Sequence, residues 1–229
     1  MIPFFKQRFR GFYPVVIDVE TGGFNPNTDA LLEIGAVTLV PNDHGLLTPG
    51  QRFFFPIEPY PNSNIETSAL EFTGIKLDSA FRDSVSESEA INELLQQIRR
   101  DLKLYECSRA IIVGHNTHFD HQFIKAAIAR NQIKRDPFHQ FSTLDTASLG
   151  ALAYGHTVLA QCCKLAGIEF TNEEAHSALY DAEKTAELFC KIFNTWHQLG
   201  GWPLADLEKQ EAGKKGPELE HPTPQSGPS

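Results

Sequence analysis

The stretch Tyr13–Val19, YPVVIDV, reads as a buried strand, yet its end carries two acids one residue apart, Asp18 and Glu20. An apolar run that meets acids and then Gly22-Gly23 is a strand entering a turn. Side chains two apart share one face of a strand, so both carboxylates reach one site. Two acids among Val and Ile require something to compensate their charge. Hard divalent cations, which prefer oxygen ligands, meet that requirement.

Two later segments add to the set: Asp120 in VGHNTHFD, then His176 and Asp181 in HSALYDAEKTAELF. A histidine beside such a cluster can take a proton from a metal-activated water near neutral pH. The combination implies hydrolysis of a phosphodiester by two metal ions. Taken singly, Asp120 and Asp181 have a plainer reading as well. Each falls near a helix N-terminus, where an acid complements the dipole or caps the first turn.

The remaining pattern predicts an α/β fold. Leu31–Val40 and Arg52–Ile57 are β-rich and separated by turn residues. Ile91, Leu94, Leu95, Ile98 and Leu102 recur at helical spacing within Glu87–Leu104. Ala110–Val113 is a further strand, His118 to Arg130 a second helix, and Phe141–Thr146 a fifth strand. Helices follow near Val158–Ala166 and from Ala178 to Leu199. Three early strands and then alternating helix and strand give a mixed five-stranded sheet flanked by helices. Residues 1–205 read as one domain, and 206–229, rich in Pro, Gly and Ser, as a polar disordered tail.

Composition excludes several classes. No apolar run approaches membrane-spanning length, and MIPFFKQRFRGF lacks the apolar core of a secretory signal. The four cysteines, Cys107, Cys162, Cys163 and Cys190, have neither CxxC nor zinc spacing, which suits free thiols in a reducing cytoplasm. Net charge is −9, so any nucleic-acid contact depends on local patches. Two are visible: Lys6, Arg8 and Arg10, and Lys125, Arg130, Lys134 and Arg135. His115, His118 and His121 imitate a metal cluster but lack a carboxylate or cysteine complement for zinc. Asp145, near a strand end, is expected to hold backbone groups rather than metal.

In order, DVETGG, HNTHFD and HSALYD resemble the three exonuclease motifs of the DnaQ-like, or DEDD, superfamily. The interval from His176 to Asp181 resembles the DEDDh branch; the other branch has tyrosine four residues before the last Asp, where this chain has Ser177. RFRGFYPVVIDVETGGFN, ALLEIGAVTL, GHNTHFDH, DPFHQF, AHSALYDAEKTAELF and GGWPL extend the likeness to the ribonuclease T family, over roughly residues 8–204. The resemblance implies a ribonuclease H-like fold and a Mg²⁺-dependent 3′→5′ exoribonuclease that trims transfer and other stable RNAs to release nucleoside 5′-monophosphates. It implies one Mg²⁺ on Asp18, Glu20 and Asp181 and a second on Asp18 and Asp120, with Mn²⁺ as a substitute and His176 as general base.

The resemblance also bears on substrate. Seventeen phenylalanines are many for 229 residues, and most belong to a core. Phe24, Phe72, Phe119 and Phe141 stand at positions where the family grips the last nucleotides of a single-stranded 3′ end, DNA overhangs included. Some members carry an acid where this chain has Ser68, so base discrimination is expected to differ, and nearby Glu66 and Glu71 are not expected to replace that acid. The family acts as a cytoplasmic homodimer in which basic residues guide RNA to the partner's site; Arg8, Arg10, Arg109, Lys134 and Arg135 are the candidates. Two rivals remain. A polymerase proofreading subunit needs a C-terminal segment with apolar anchors, which the residues after Asp206 do not supply. A catalytically silent nucleic-acid-binding module has no need of five costly polar groups.

Overall fold

The computed structural model describes residues 4–6, 8–79 and 82–200; the expected tail, 206–229, and most of the GGWPL motif lie outside them. The elements run β1 (Phe12–Thr21), β2 (Leu31–Pro41), β3 (Leu47–Glu58), α1 (Thr67–Thr73), β4 (Val85–Ser86), α2 (Glu87–Leu104), β5 (Arg109–Gly114), α3 (His118–Arg130), β6 (Phe138–Asp145), α4 (Thr146–Tyr154), α5 (Leu159–Ala166) and α6 (Ala178–Gln198).

The strands form one mixed sheet in the order β4-β3-β2-β1-β5-β6. β1 pairs antiparallel with β2 and parallel with β5, which puts it in the interior of the sheet. Its apolar residues are all buried; only Asp18 and Glu20 are half-exposed. The sheet has six strands rather than five. The extra one, Val85–Ser86, pairs in parallel with Ile57–Glu58 and is two residues long, too short to show a period. The last strand begins at Phe138, not Phe141, and Thr146 already belongs to α4.

Helix α2 starts where the Ser86 side chain accepts the Glu89 N–H, and it buries Ile91, Leu94, Leu95 and Ile98. Helices α2 and α3 touch each other and the sheet, while α6 lies across β1, β2 and β3. Helix α6 buries Ala182, Ala186, Phe189 and Phe193 along one side. Its approach is set by Gly35, which stands opposite Asp18 in the β1–β2 register. A Cβ on Gly35 would lie 2.0 Å from the Ala178 carbonyl oxygen. The missing side chain therefore lets the start of α6 settle on the sheet beside Asp18.

Candidate active site

Asp18 and Glu20 leave β1 on the face that Gly35 opens to α6, and Asp181 comes down on them from the first turn of α6. One oxygen from each of the three carboxylates lies within 4.8 Å of the other two. Repulsion at this range is expensive without a cation. Burial, and then Asp120, Glu20, Asp181 and Glu33, hold the Asp18 carboxyl well above the usual carboxylate range. Burial followed by Asp181, Glu33 and Asp120 pushes Glu20 up to about 8. Burial also raises Asp181, against the pull of the His176 N–H, and Asp181 Oδ1 is buried with no hydrogen-bond partner. An orphaned carboxylate oxygen on a member of a carboxylate cluster suits a hard cation.

Asp120 approaches from α3 and is 3% exposed. Its Oδ1 accepts the Val19 N–H at 3.0 Å, which ties the helix start to β1 between the two acids. Burial lifts its carboxyl to about 8 despite that bond. It stands outside the close trio but next to Asp18, whose titration it perturbs. Both roles foreseen for this residue, helix-start acid and member of the acidic site, are compatible with its position.

His176 lies in the loop before α6 with φ of 66°, a left-handed conformation unusual for a side chain of this size. Its N–H donates to Asp181 Oδ2 at 3.1 Å, so an acid of the trio also holds the histidine loop. The ring is exposed and packs on Phe72 with centroids 4.2 Å apart. Tyr180 is occupied elsewhere: its hydroxyl accepts the Thr171 N–H at 2.5 Å. His115 is structural, with Nδ1 against Thr146 Oγ1 and Nε2 against the Thr157 carbonyl. Asp145 caps α4 through the Ala147 N–H and also accepts the Asn116 N–H, the backbone role expected for it.

Beside the carboxylates lies a cleft of about 340 Å³ lined by Glu20, Phe24, Glu66, Ser68, Phe72 and Phe119, among others. Phe24 and Phe72 are 83% and 66% exposed, which rules out a core role. Phe119 is half-buried between Phe24 and Phe123. Phe141, 80% exposed, does not line this cleft; it stands in an irregular stretch of β6 where the register with β5 shifts. Glu66 also lines the cleft and accepts the Ser68 hydroxyl at 3.5 Å, so an acid stands beside the serine.

The basic residues divide. Arg109, Lys134 and Arg135 share a groove with Arg99, whereas Arg8 sits over the Phe193 ring and Arg10 over Phe12. Lys125 and Arg130, grouped with Lys134 and Arg135 in sequence, are instead committed to ion pairs with Asp136 and the buried Glu87.

Sequence reasoning missed Glu33 and Gly35. Glu33 stands opposite Glu20 in the strand pair and accepts the Ala178 N–H, fixing the first turn of α6. A glycine inside the apolar run LLEIGAVTLV was the available signal.

Residues 15–189 match the RNase_T exonuclease family. Ribonuclease T of Photorhabdus laumondii is 58% identical over 197 residues, covering 86% of this chain and 91% of that protein. Ribonuclease T of Marinobacter nauticus is 57% identical, covering 90% and 93%. Among solved structures, the nuclease domain of 3′hExo, a DEDDh family member bound to rAMP, superposes with a TM-score of 0.59 at 18% identity, covering 80% of this chain and 92% of that one. E. coli exonuclease I in complex with a dT13 oligonucleotide gives a TM-score of 0.59 at 20% identity, covering 82% of this chain and 42% of that one. Those two show a shared fold, and the sequence relatives show more: the chain belongs to the ribonuclease T family of exonucleases.

Proposed function

We propose that this protein is a Mg²⁺-dependent 3′→5′ exoribonuclease that trims the 3′ ends of tRNA and other stable RNAs, one nucleoside 5′-monophosphate at a time. The observation that carries it is the convergence of Asp18, Glu20 and Asp181 within 4.8 Å beside an exposed aromatic cleft. The likeness over most of the chain to proteins named ribonuclease T supports RNA as the substrate. The oligonucleotide bound by exonuclease I and the rAMP bound by 3′hExo support a single-stranded 3′ end and a mononucleotide product, with DNA overhangs as a second substrate.

Asp18, Glu20 and Asp181 would hold one Mg²⁺, and Asp18 with Asp120 a second; Mn²⁺ fits the same oxygen ligands. Bound there, the ions would neutralise the phosphate and lower the pKa of water. The chain's own residues do the rest. His176 takes a proton from the attacking water at a ring nitrogen, its loop held by Asp181. Phe24, Phe72 and Phe119 stack on terminal bases without demanding a sequence, at about 1–3 kcal/mol each. Phe141 guides the strand from outside the cleft, and Ser68 with Glu66 meets the base edge. Residues 1–205 form one exonuclease domain, and 206–229 a polar appendage. The protein acts in the cytoplasm as a homodimer, with Arg8, Arg10, Arg109, Lys134 and Arg135 delivering RNA to the partner's site. No described helix is long and apolar enough to cross a membrane.

A 5′-labelled RNA duplex with a short 3′ overhang tests this, beside the matching DNA. Stepwise loss from the 3′ end that stops near the duplex and vanishes in EDTA is expected. Intact RNA after incubation of folded protein with Mg²⁺ would overturn the proposal.

A further inference from the structure

A second groove opens on the other side of His176, between the loop that follows α1 and the start of α6. Glu33, Thr73, Lys76, Ser79, Arg82 and His176 are among the residues that line it, and its volume is about 340 Å³. Thr73 also lines the aromatic cleft, so the two depressions meet at the Phe72–His176 contact. The cleft is apolar with carboxylates at its edge; the groove is polar and carries cations.

The cations are placed differently. Arg82 is anchored, with Nη2 donating to the Leu32 carbonyl at 2.6 Å, while its Nε is buried and has no hydrogen-bond partner. Glu33 offsets part of the Arg82 charge, each favouring the other's ionised form, while it also accepts the Ala178 N–H and faces Glu20 across the strand pair; Lys76 adds a second cation to the groove. Lys76 is exposed at the rim. A chain of net charge −9 that places four carboxylates in one site repels every phosphate of a polynucleotide. Cations at the mouth of that site are what would hold a phosphate near it.

We propose that this groove is a phosphate subsite, in which Lys76 and Arg82 bind a phosphate of the substrate strand or of the released mononucleotide. It rests on the exonuclease reading for the identity of its ligand. It differs from the Arg99–Arg109–Lys134–Arg135 groove in adjoining this chain's own carboxylates and His176.

The test is binding of a short fluorescently labelled single-stranded RNA in EDTA, where no turnover occurs, at several salt concentrations. Lys76→Gln should weaken binding about two- to fivefold at low salt, the size of an exposed ion pair. It should also lower the slope of log affinity against log salt by about 0.7, one phosphate contact on a single strand. Arg82→Gln should do the same and Arg82→Lys should not, while Lys103→Gln on α2 serves as a charge control without effect. Competition by adenosine 5′-monophosphate separates the two sources. A loss of competition in Lys76→Gln with the RNA slope unchanged assigns the product phosphate; a changed slope with competition intact assigns a phosphate of the strand. Unchanged slope and unchanged competition in both Lys76→Gln and Arg82→Gln would overturn the subsite. A wild-type protein that binds RNA through this groove but does not cleave it with Mg²⁺ would instead remove the exonuclease reading and leave the subsite standing.

Discussion

Replacing Glu20 by Gln should make the metal-free protein more stable at pH 8 while abolishing its activity. In the fold the Glu20 carboxyl is pushed up to about 8, against 4.5 ordinarily, by burial and by Asp181, Glu33 and Asp120. A carboxyl raised by folding binds its proton more tightly in the folded chain. The penalty is therefore absent below about pH 4.5 and grows as pH rises through the window to about 8. Without screening, that window corresponds to about 5 kcal/mol. Glu20 is half-exposed at the edge of the cleft, so solvent reduces the figure to roughly 2 kcal/mol. For a chain of this size each kcal/mol moves Tm by about 2–4 °C. Thermal melts in EDTA should thus show the Gln variant higher by about 4–8 °C at pH 8 and level with wild type at pH 5. Saturating Mg²⁺ should reverse the order, because an ion present at a hundred times its Kd adds about 2.7 kcal/mol only where it binds. A Gln variant no more stable than wild type at pH 8 in EDTA would refute the repulsion inferred among these carboxylates.

Three further outcomes are expected. His176→Ala should keep the Mg²⁺-dependent rise in Tm and lose about 10²–10⁴ in rate, the range of a general base; near-normal turnover would remove that role. Phe72→Ala should raise KM for single-stranded RNA by roughly 5- to 150-fold, one base stack, with stability within about 0.5 kcal/mol because the ring is exposed. A melt lowered well beyond that would make Phe72 a packing residue instead. Gly35→Ala should cost about 3 kcal/mol by denaturant titration, since its Cβ would strike the Ala178 carbonyl; a silent substitution would mean that α6 does not need this approach.

The carboxylates and His176 were legible in sequence because each carries a chemical oddity: acids in a Val/Ile strand, and a histidine five residues before an acid at a helix start. The long elements were legible through their periods, as in α2, where Ile91, Leu94, Leu95 and Ile98 are all buried. Short elements were not: α1 with seven residues and β4 with two give no period to count, and α4 follows β6 without a break, so Thr146 was read as strand. Exposure of the aromatics was also invisible, since a Phe at 83% exposure and one at 0% look alike in a string of letters. Basic patches failed for a related reason. Sequence neighbours Arg130 and Lys134 part company because Arg130 turns inward to the buried Glu87, while Lys134 lines an open groove. Glu66 was visible as a nearby acid but its place in the cleft was not, because that depends on how the turn before α1 folds over Gly22 and Gly23.

The most direct test of the metal assignment is a count of bound Mn²⁺ by electron paramagnetic resonance titration in the presence of adenosine 5′-monophosphate. Two ions per chain are expected for wild type, about one for Asp120→Asn, and close to none for Asp18→Asn, which contributes to both. Wild-type stoichiometry and affinity in a folded Asp18→Asn variant would contradict the placement of the ions on these carboxylates.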